Sequence, residues 1–407
     1  MIQRTIIIVN DYSYVNGGIG VVALSSAKAL VEKGYRVILF SAVSPIDPSL
    51  LIAGVEVVCL EQNDILNNPY RMKAIWQGLW NKKAEQAFGQ LLSTIDPENS
   101  VIHFHGWYKA LSCSVLYVAG KMKFNTFITL HDFSLYCPNG GLYNYKNRLN
   151  CSLNPMGMRC LLCDCDSRSY LHKLWRYVRS WIQKEVISKN EKISFISISA
   201  LTTNLFYKYY KNKNSCLYRV NNPISSGVDK ERVSVENNKY YLFMARLSVE
   251  KGIDLFCEAI TQLGLKGIVL GDGYLLDSYK ERYPSIIFTG WVMGEEKENY
   301  IRSAKTFIFT SILFETFGLS VAEMLSYGIP CIVPDKCAAA ELVRNGENGF
   351  LFESNNLLSL KEAIVRMENM NVYNLSVNAF SSFPYRNYSM ETHCSALLHC
   401  YFQQEKH

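Results

Sequence analysis

The chain has 407 residues, 49% of them hydrophobic and 19% charged, which excludes a disordered or low-complexity protein and suits two globular domains of about 150 to 200 residues. No apolar run approaches the roughly 20 residues that cross a bilayer as a helix. The net charge of +6 is uneven: residues 1–200 carry 21 Lys and Arg against 14 Asp and Glu, residues 201–407 carry 21 against 22.

The opening MIQRTIIIVNDY lacks the long apolar core and small-residue cleavage site of a signal peptide, which predicts a cytoplasmic protein and a buried first strand over Thr5 to Asn10. A glycine turn, Asn16 to Gly20, leads into helical spacing over Ile19 to Lys33; Gly34 caps it and Tyr35 to Phe40 is the next strand, a βαβ opening. A Gly-Gly-x-Gly turn alone fits a tight turn or a phosphate loop. Further strands are predicted at Val55 to Cys59, Val101 to Phe104 and Thr126 to Leu130, with a helix from roughly Arg71 to Ile95. Their carboxyl ends carry His103, His105, His131 and Asp132, at the edge where parallel sheets bind ligands. His103 is expected to turn inward and pair with a backbone carbonyl. FISIS, Phe195 to Ser199, reads as the last strand of the first domain, a helix opens at Ser199, and the domain break falls near residues 200 to 220. SSGVDKERVSVENNK follows as a polar linker.

In the second half, Tyr240 to Met244 is a buried strand. Arg246 and Lys251 stand at its turn into the next helix, where they could straddle a diphosphate or be solvated. Turns follow at GDGY (Gly271 to Tyr274) and after Ile286 to Gly290; Asp272 reads as a turn residue. Thr306 to Ser311 is a strand, about Ser320 to Tyr327 a helix ended by Gly328, and Cys331 to Val333 the next strand. The loop and helix between them carry Glu315 and Glu323. Helix-start amides at Gly318, Leu319 and Ser320 could hold an anion, although Ser320-Val-Ala-Glu323 is also a capping box. A last helix spans roughly Met390 to Gln404.

Thirteen cysteines in a cytosolic chain argue for reduced thiols. Five cluster in an insert rich in Asn, Gly and Asp: Cys137, Cys151, Cys160, Cys163 and Cys165. Cys160-x-x-Cys163 has metal-ligand spacing, so Cys137, Cys151, Cys160 and Cys163 form a candidate structural zinc set; free thiols and a regulatory disulfide are the other readings. The following helix, Tyr170 to Ile187, combines Lys173, Arg176, Arg179 and Lys184 with Trp175 and Trp181. It reads equally as a membrane-interface helix or as a core helix with a basic face.

The segment ETFGLSVAEMLSYGIPCIV resembles the EGFGLPVLEAMASGTPVV-like segment of the retaining GT-B glycosyltransferases of family GT4. It keeps the Glu-x7-Glu pair, Phe-Gly-Leu and Gly-x-Pro. Ser320 stands for the usual proline, Lys305 and Thr310 for a common Asp and Pro, and Ala245 for the glycine of the family's Gly-Arg-Leu-x-x-x-Lys-Gly. The resemblance covers most of the chain. It implies an α/β protein of two Rossmann-like domains facing a cleft: residues 1–205, with a Cys-rich insert at 137–168 and completed by a C-terminal helix at 385–407, and residues 206–384.

By the same resemblance Gly17 and Gly18 lie beside the donor phosphates and His131 against the donor sugar, while Arg246 and Lys251 grip the diphosphate. Gly271 and Val292 wall the nucleotide, the Gly318 helix start meets the leaving diphosphate with Phe317 and Leu319 also donor-binding, Glu315 holds the sugar, and Glu323 binds the ribose. Glu315, His131, Arg246 and Lys251 are the expected catalytic set. The implied reaction moves a sugar from a UDP- or GDP-sugar to a glycan hydroxyl with retention. The acceptor is expected to be a polyprenyl-pyrophosphate-linked intermediate of bacterial O-antigen or capsule synthesis. Catalysis needs no cofactor; anionic membrane is the expected peripheral partner, at the inner face of the cytoplasmic membrane, and nucleic acid is not one. Two alternatives share the scaffold: a sugar-nucleotide epimerase or hydrolase, and a non-catalytic scaffold of polysaccharide assembly.

Overall fold

The computed structural model describes residues 4–210, 215–224 and 231–402; part of the predicted linker and the last residues of the predicted C-terminal helix lie outside them. The first half alternates strand and helix: β1 Thr5–Val9, β2 Arg36–Ser41, β3 Glu56–Cys59, β4 Ser100–Phe104 and β5 Asn125–Thr129, then a short antiparallel hairpin, β6 Tyr143–Asn144 with β7 Leu149–Asn150, then β8 Ile193–Ser197 and β9 Cys216–Arg219. Apart from the hairpin these form one parallel sheet in the order β3-β2-β1-β4-β5-β8-β9. Central strands such as β1 (TIIIV) are buried throughout, because helices cover both faces of a parallel sheet and alternation gives way to continuous apolar runs.

The second sheet contains β10 Tyr240–Met244, β11 Lys266–Leu270, β12 Ile287–Gly290, β13 Ala304–Ile308, β14 Cys331–Pro334 and β15 Gly349–Phe352, in the order β12-β11-β10-β13-β14-β15. In each sheet the order reverses beside its first strand, the switch point at which open α/β sheets bind ligands.

Three elements differ from the sequence expectations. The stretch Arg71 to Ile95 forms two helices, Arg71–Leu79 and Lys82–Leu92, because Trp80 is extended and the Asn81 side chain caps the second by accepting from Ala84 N–H at 3.1 Å. The strand Cys216–Arg219 joins the first sheet in register with Ser194 to Ser197, so that sheet runs past residue 205 and FISIS is not its last strand. The C-terminal helix, Met390–Phe402, starts after residue 385. It lies on the first domain, burying Cys394, Leu397 and Tyr401 with Ile6, Ile8 and Leu24. His393 Nε2 meets Ser26 Oγ at 3.0 Å.

Candidate functional site

Strands β10 and β13 are parallel neighbours, so the loops leaving their carboxyl ends lie side by side. Those loops are stitched together. Thr310 Oγ1 donates to the Lys251 and Gly252 carbonyls at 3.1 and 2.7 Å, and Ile312 N–H donates to the Glu250 carbonyl at 3.0 Å. Gly252 is left-handed (φ 68°), and a β-carbon there would fall on the Thr310 carbonyl oxygen, so this approach requires glycine.

The stitching brings Lys251 to Glu315: their side chains form an ion pair, and Ser311 Oγ donates to the same carboxylate at 2.6 Å. Burial pushes the Glu315 carboxyl up, but the Lys251 charge and the Lys251 and Ser311 hydrogen bonds outweigh it and hold the group below its ordinary value. Glu315 sits at φ 40°, an uncommon conformation for a residue with a β-carbon. Arg246 pairs with the buried Glu250 at 3.1 Å and keeps 71% of its side chain exposed.

Glu323 takes the role of a partnered carboxylate. The helix Leu319–Ser326 begins at a left-handed Gly318 with no side-chain cap, so the capping box does not form, and Lys297 Nζ instead donates to both Glu323 oxygens at 2.7 and 2.9 Å. Lys297 belongs to the helix Gly294–Arg302, which follows the Val292 turn. Gly271 packs against Ala245, whose carbonyl oxygen a β-carbon would strike. Phe317 and, partly, Val292 are side chains of the second-domain core, leaving mainly their backbones for a ligand.

Across the cleft, Gly17 (φ 82°) precedes the helix Gly18–Glu32 and has open space where a β-carbon would stand, while a β-carbon on Gly18 would lie 3.2 Å from the Leu319 side chain. His131, at the end of β5, accepts a hydrogen bond from Thr316 Oγ1 through its carbonyl at 2.7 Å, which places it beside the Glu315 loop. Its Nε2 lies 2.8 Å from His105 Nδ1. Burial pushes His131 down to about 3, so the ring is neutral at physiological pH. His103 is buried and bonds the Thr129 and Tyr401 hydroxyls at 2.7 and 2.5 Å, where a backbone carbonyl is the expected partner.

Arg246, Glu250 and Lys251 open into a cavity of about 890 Å³ whose other walls come mostly from the first domain, including Asp11, Tyr108, Lys109, Asp132, Tyr145 and Arg168. Gly318, Glu315 and Glu323 are not among its lining residues. Sequence reasoning missed Glu250, Ser311, Thr316 and Lys297, the partners that hold the predicted charges. Only tertiary proximity could have revealed Thr316 and Lys297, whereas Glu250 and Ser311 stand four residues from Arg246 and Glu315.

The cysteine insert departs from the zinc expectation. Among the described residues no group of three or more His, Cys, Asp or Glu is placed to hold a metal ion. The buried Lys173 ammonium fills the cluster instead. It donates to the Cys160 carbonyl at 2.6 Å and to the Cys163 carbonyl at 3.4 Å, and lies 3.4 Å from Cys165 Sγ and 3.6 Å from Cys160 Sγ. An ammonium against two of the five sulfurs, with no ligand group of three among the described residues, does not fit a zinc site, and Cys137, Cys151, Cys160 and Cys163 are not brought together as a ligand set.

Residues 228–379 match the family model for glycosyl transferases group 1. A GDP-mannose-dependent alpha-mannosyltransferase of Corynebacterium glutamicum is 31% identical over 111 residues, 27% of each chain. The UDP-Gal:alpha-D-GlcNAc-diphosphoundecaprenol alpha-1,3-galactosyltransferase of Escherichia coli is 27% identical over 168 residues, 37% of this chain and 43% of that one. The chain thus spans less than half the length of these two relatives. The solved sucrose-phosphate synthase of Thermosynechococcus elongatus superposes over 98% of this chain and 99% of its own with a TM-score of 0.72 at 15% identity, a likeness of fold.

Proposed function

We propose that this chain, a GT-B protein whose second domain belongs to the glycosyl transferases group 1, moves a sugar from a UDP- or GDP-sugar to a hydroxyl of a lipid-linked glycan with retention at the anomeric carbon. The observation that carries the reading is the stitched pair of loops that sets Arg246 and Lys251 at the mouth of one cavity, beside Glu315. Both cations would meet the donor diphosphate and stabilise the charge that develops on it as the glycosidic bond breaks. Arg246, 71% exposed on its pair with Glu250, supplies a guanidinium that a ligand can reach. Lys251 exchanges part of its attraction to Glu315 for the phosphate.

Glu315 would then hold sugar hydroxyls and face positive charge at the anomeric carbon, while Glu323 binds the ribose after Lys297 yields. His131, neutral, offers a ring hydrogen bond to the sugar rather than a charge. The Asp132 carboxyl, pushed up by burial against the backbone hydrogen bond from Ser134, lines the acceptor side and would accept from an incoming hydroxyl.

The lipid part of the reading is supported by the rim of the cavity. Leu66, Arg71, Ile75, Leu171 and Arg168 line it, and Met72, Trp76 and Leu171 leave 67%, 66% and 76% of their surface exposed. Arg71, Lys73 and Arg168 flank these residues without a carboxylate in the ion pairs of the described residues, as a surface that meets isoprenoid chains and anionic headgroups would. Trp175, in contrast, is packed on Gly78, donates to the Ile75 carbonyl at 3.3 Å and lies under Arg179, so the exposed apolar face is shared with the neighbouring helix Arg71–Leu79. No helix of the described residues is long and apolar enough to cross a membrane.

The test is a panel of UDP-, GDP- and dTDP-sugars screened for binding, followed by mass spectrometry of a polyprenyl-diphosphate acceptor incubated with the donor that binds. An acceptor heavier by one sugar is the expected product. Donor consumed with the acceptor unchanged would replace transfer by hydrolysis or epimerisation.

A further inference from the structure

The cysteine-rich insert reaches across the cleft. Its hairpin presents Tyr145 to the cavity that Arg246, Glu250 and Lys251 line from the other domain, and Arg148, at the hairpin's far end, stands 4.0 Å from Asp254 of the second domain. The Tyr145 hydroxyl makes no hydrogen bond among the described residues. Its ring packs edge-on against Tyr143 with centroids 5.0 Å apart. Asn139 and Gly141, on the strand side of the hairpin, line the same cavity, as does Tyr108.

The thiol cluster fixes that hairpin. Tyr145 N–H donates to the Cys165 carbonyl at 3.2 Å. Asn139 Nδ2 donates to the Tyr143 carbonyl at 2.7 Å and to the Cys165 carbonyl at 3.3 Å, and its Oδ1 accepts from Cys137 Sγ at 3.1 Å. Lys173 clamps the other side of Cys165 and Cys160. A buried ammonium ringed by two carbonyls and two sulfurs satisfies its donors only in this arrangement, and an ammonium left without them would be costly to bury. Leu142 and Tyr143 bury the near strand of the hairpin, and the clamp holds Cys165, whose carbonyl accepts from Tyr145 N–H.

We propose that the insert is an acceptor-recognition element: the Tyr145 ring and hydroxyl contact the sugar residue of the acceptor next to the Arg246–Lys251 pair, and Lys173 is the positioning residue that holds Tyr145 there. An aromatic face with a free hydroxyl suits a pyranose, which offers C–H bonds on one face and hydroxyls at its edge. The proposal rests on the glycosyl-transfer reading above and adds the residue that reads the acceptor.

The experiment compares wild type, Tyr145→Phe, Tyr145→Ala and Lys173→Met. Nucleotide affinity is measured by calorimetry with UDP and GDP, and acceptor KM and kcat with N-acetylglucosaminyl diphosphate on a short isoprenoid chain. Tyr145→Ala is expected to raise acceptor KM about tenfold and Tyr145→Phe by less, with nucleotide affinity unchanged in both. Wild type that transfers sugar while Tyr145→Ala leaves acceptor KM in place, or weakens nucleotide binding instead, overturns the proposal alone. Wild type that binds neither nucleotide, or binds one and transfers no sugar to this acceptor, overturns the lipid-linked transfer reading and the proposal with it. Hydrogen exchange reads the anchoring without turnover: Lys173→Met is expected to speed exchange across residues 139–150 and leave the second sheet protected, and unchanged exchange there overturns Lys173 as the anchor.

Discussion

At the scale of single residues, the site is a set of charges that answer one another before any ligand arrives. Glu315 is held ionised by Lys251, and its carboxyl lies below the ordinary 4.5 even though burial pulls it the other way. A depressed carboxyl stabilises the fold above its unfolded value and loses that contribution as pH falls through the lower folded value. The Lys251→Met variant leaves Glu315 buried without its cation, a loss of roughly 3 kcal/mol at neutral pH. The melting-temperature gap between wild type and this variant is therefore expected to be widest near neutrality and to shrink as pH falls below 4.5, and a gap that is constant with pH would count against the pairing. Arg246 is different: its side chain is largely in water, so Arg246→Ala is expected to leave the melting temperature of the free protein within about a degree. It should remove most of the stabilisation that a bound UDP or GDP confers, measured as a thermal shift at fixed nucleotide concentration.

At the scale of elements, glycines and short loops decide how close the two sides of the site come. Gly318 begins the Leu319–Ser326 helix at φ 106° with the Ala339 β-carbon 2.6 Å from where its own would stand. Gly318→Ala should cost at least about 1 kcal/mol from backbone strain alone, read as a lower denaturation midpoint, with weaker nucleotide binding because the helix-start amides turn away. The C-terminal helix shows the same dependence in reverse. Deleting Met390–Phe402 strips the cover from Ile6, Ile8 and Leu24 and takes Tyr401, one of its two hydroxyl partners, from His103. Loss of soluble first-domain fold is the expected result, checked by circular dichroism and proteolysis; a truncated chain that still melts cooperatively at the wild-type temperature would show the helix to be dispensable.

At the scale of the whole molecule, the two domains meet through few but specific bonds. Thr316 reaches the His131 carbonyl, and the Glu341 carboxylate accepts from the backbone N–H groups of Ala200 and Leu201 at 2.9 and 2.8 Å, at the start of a first-domain helix. The charge surplus lies in residues 1–200, and Arg71, Lys73 and Arg168 among them flank the apolar rim. Wild type is expected to float with vesicles containing anionic phospholipid and to remain behind with neutral ones. Trp76→Ser combined with Leu171→Ser should reduce flotation several-fold without changing the melting temperature, since both side chains are already in water. Flotation that ignores lipid charge and both substitutions would remove the membrane from the reading.

Much of this architecture is legible from residue order alone. Parallel strands covered on both faces are continuous apolar runs, so β1, β10 and β14 announce themselves, and the glycine and charge spacings around Arg246, Lys251, Glu315 and Glu323 mark strand ends. An edge strand carries no such mark: Cys216–Arg219 is only partly buried, and its place in the first sheet depends on pairing with β8. The capping box is a sound local reading, but the helix starts at Gly318, which places Ser320 inside the first turn and leaves Glu323 to Lys297, a residue 26 positions away. The cysteine spacing likewise points to a metal that the fold replaces with Lys173.

Residue order by itself determined the alternation of strands and helices, the division into two parallel-sheet halves and the charged side chains at their strand ends, because burial periodicity and turn chemistry act within a few residues. Tertiary structure alone decided which charge answers which, that a side-chain ammonium lies against two of the thiols, and that the insert hairpin reaches the far domain. Those outcomes depend on distances between segments far apart in the chain, which only packing sets.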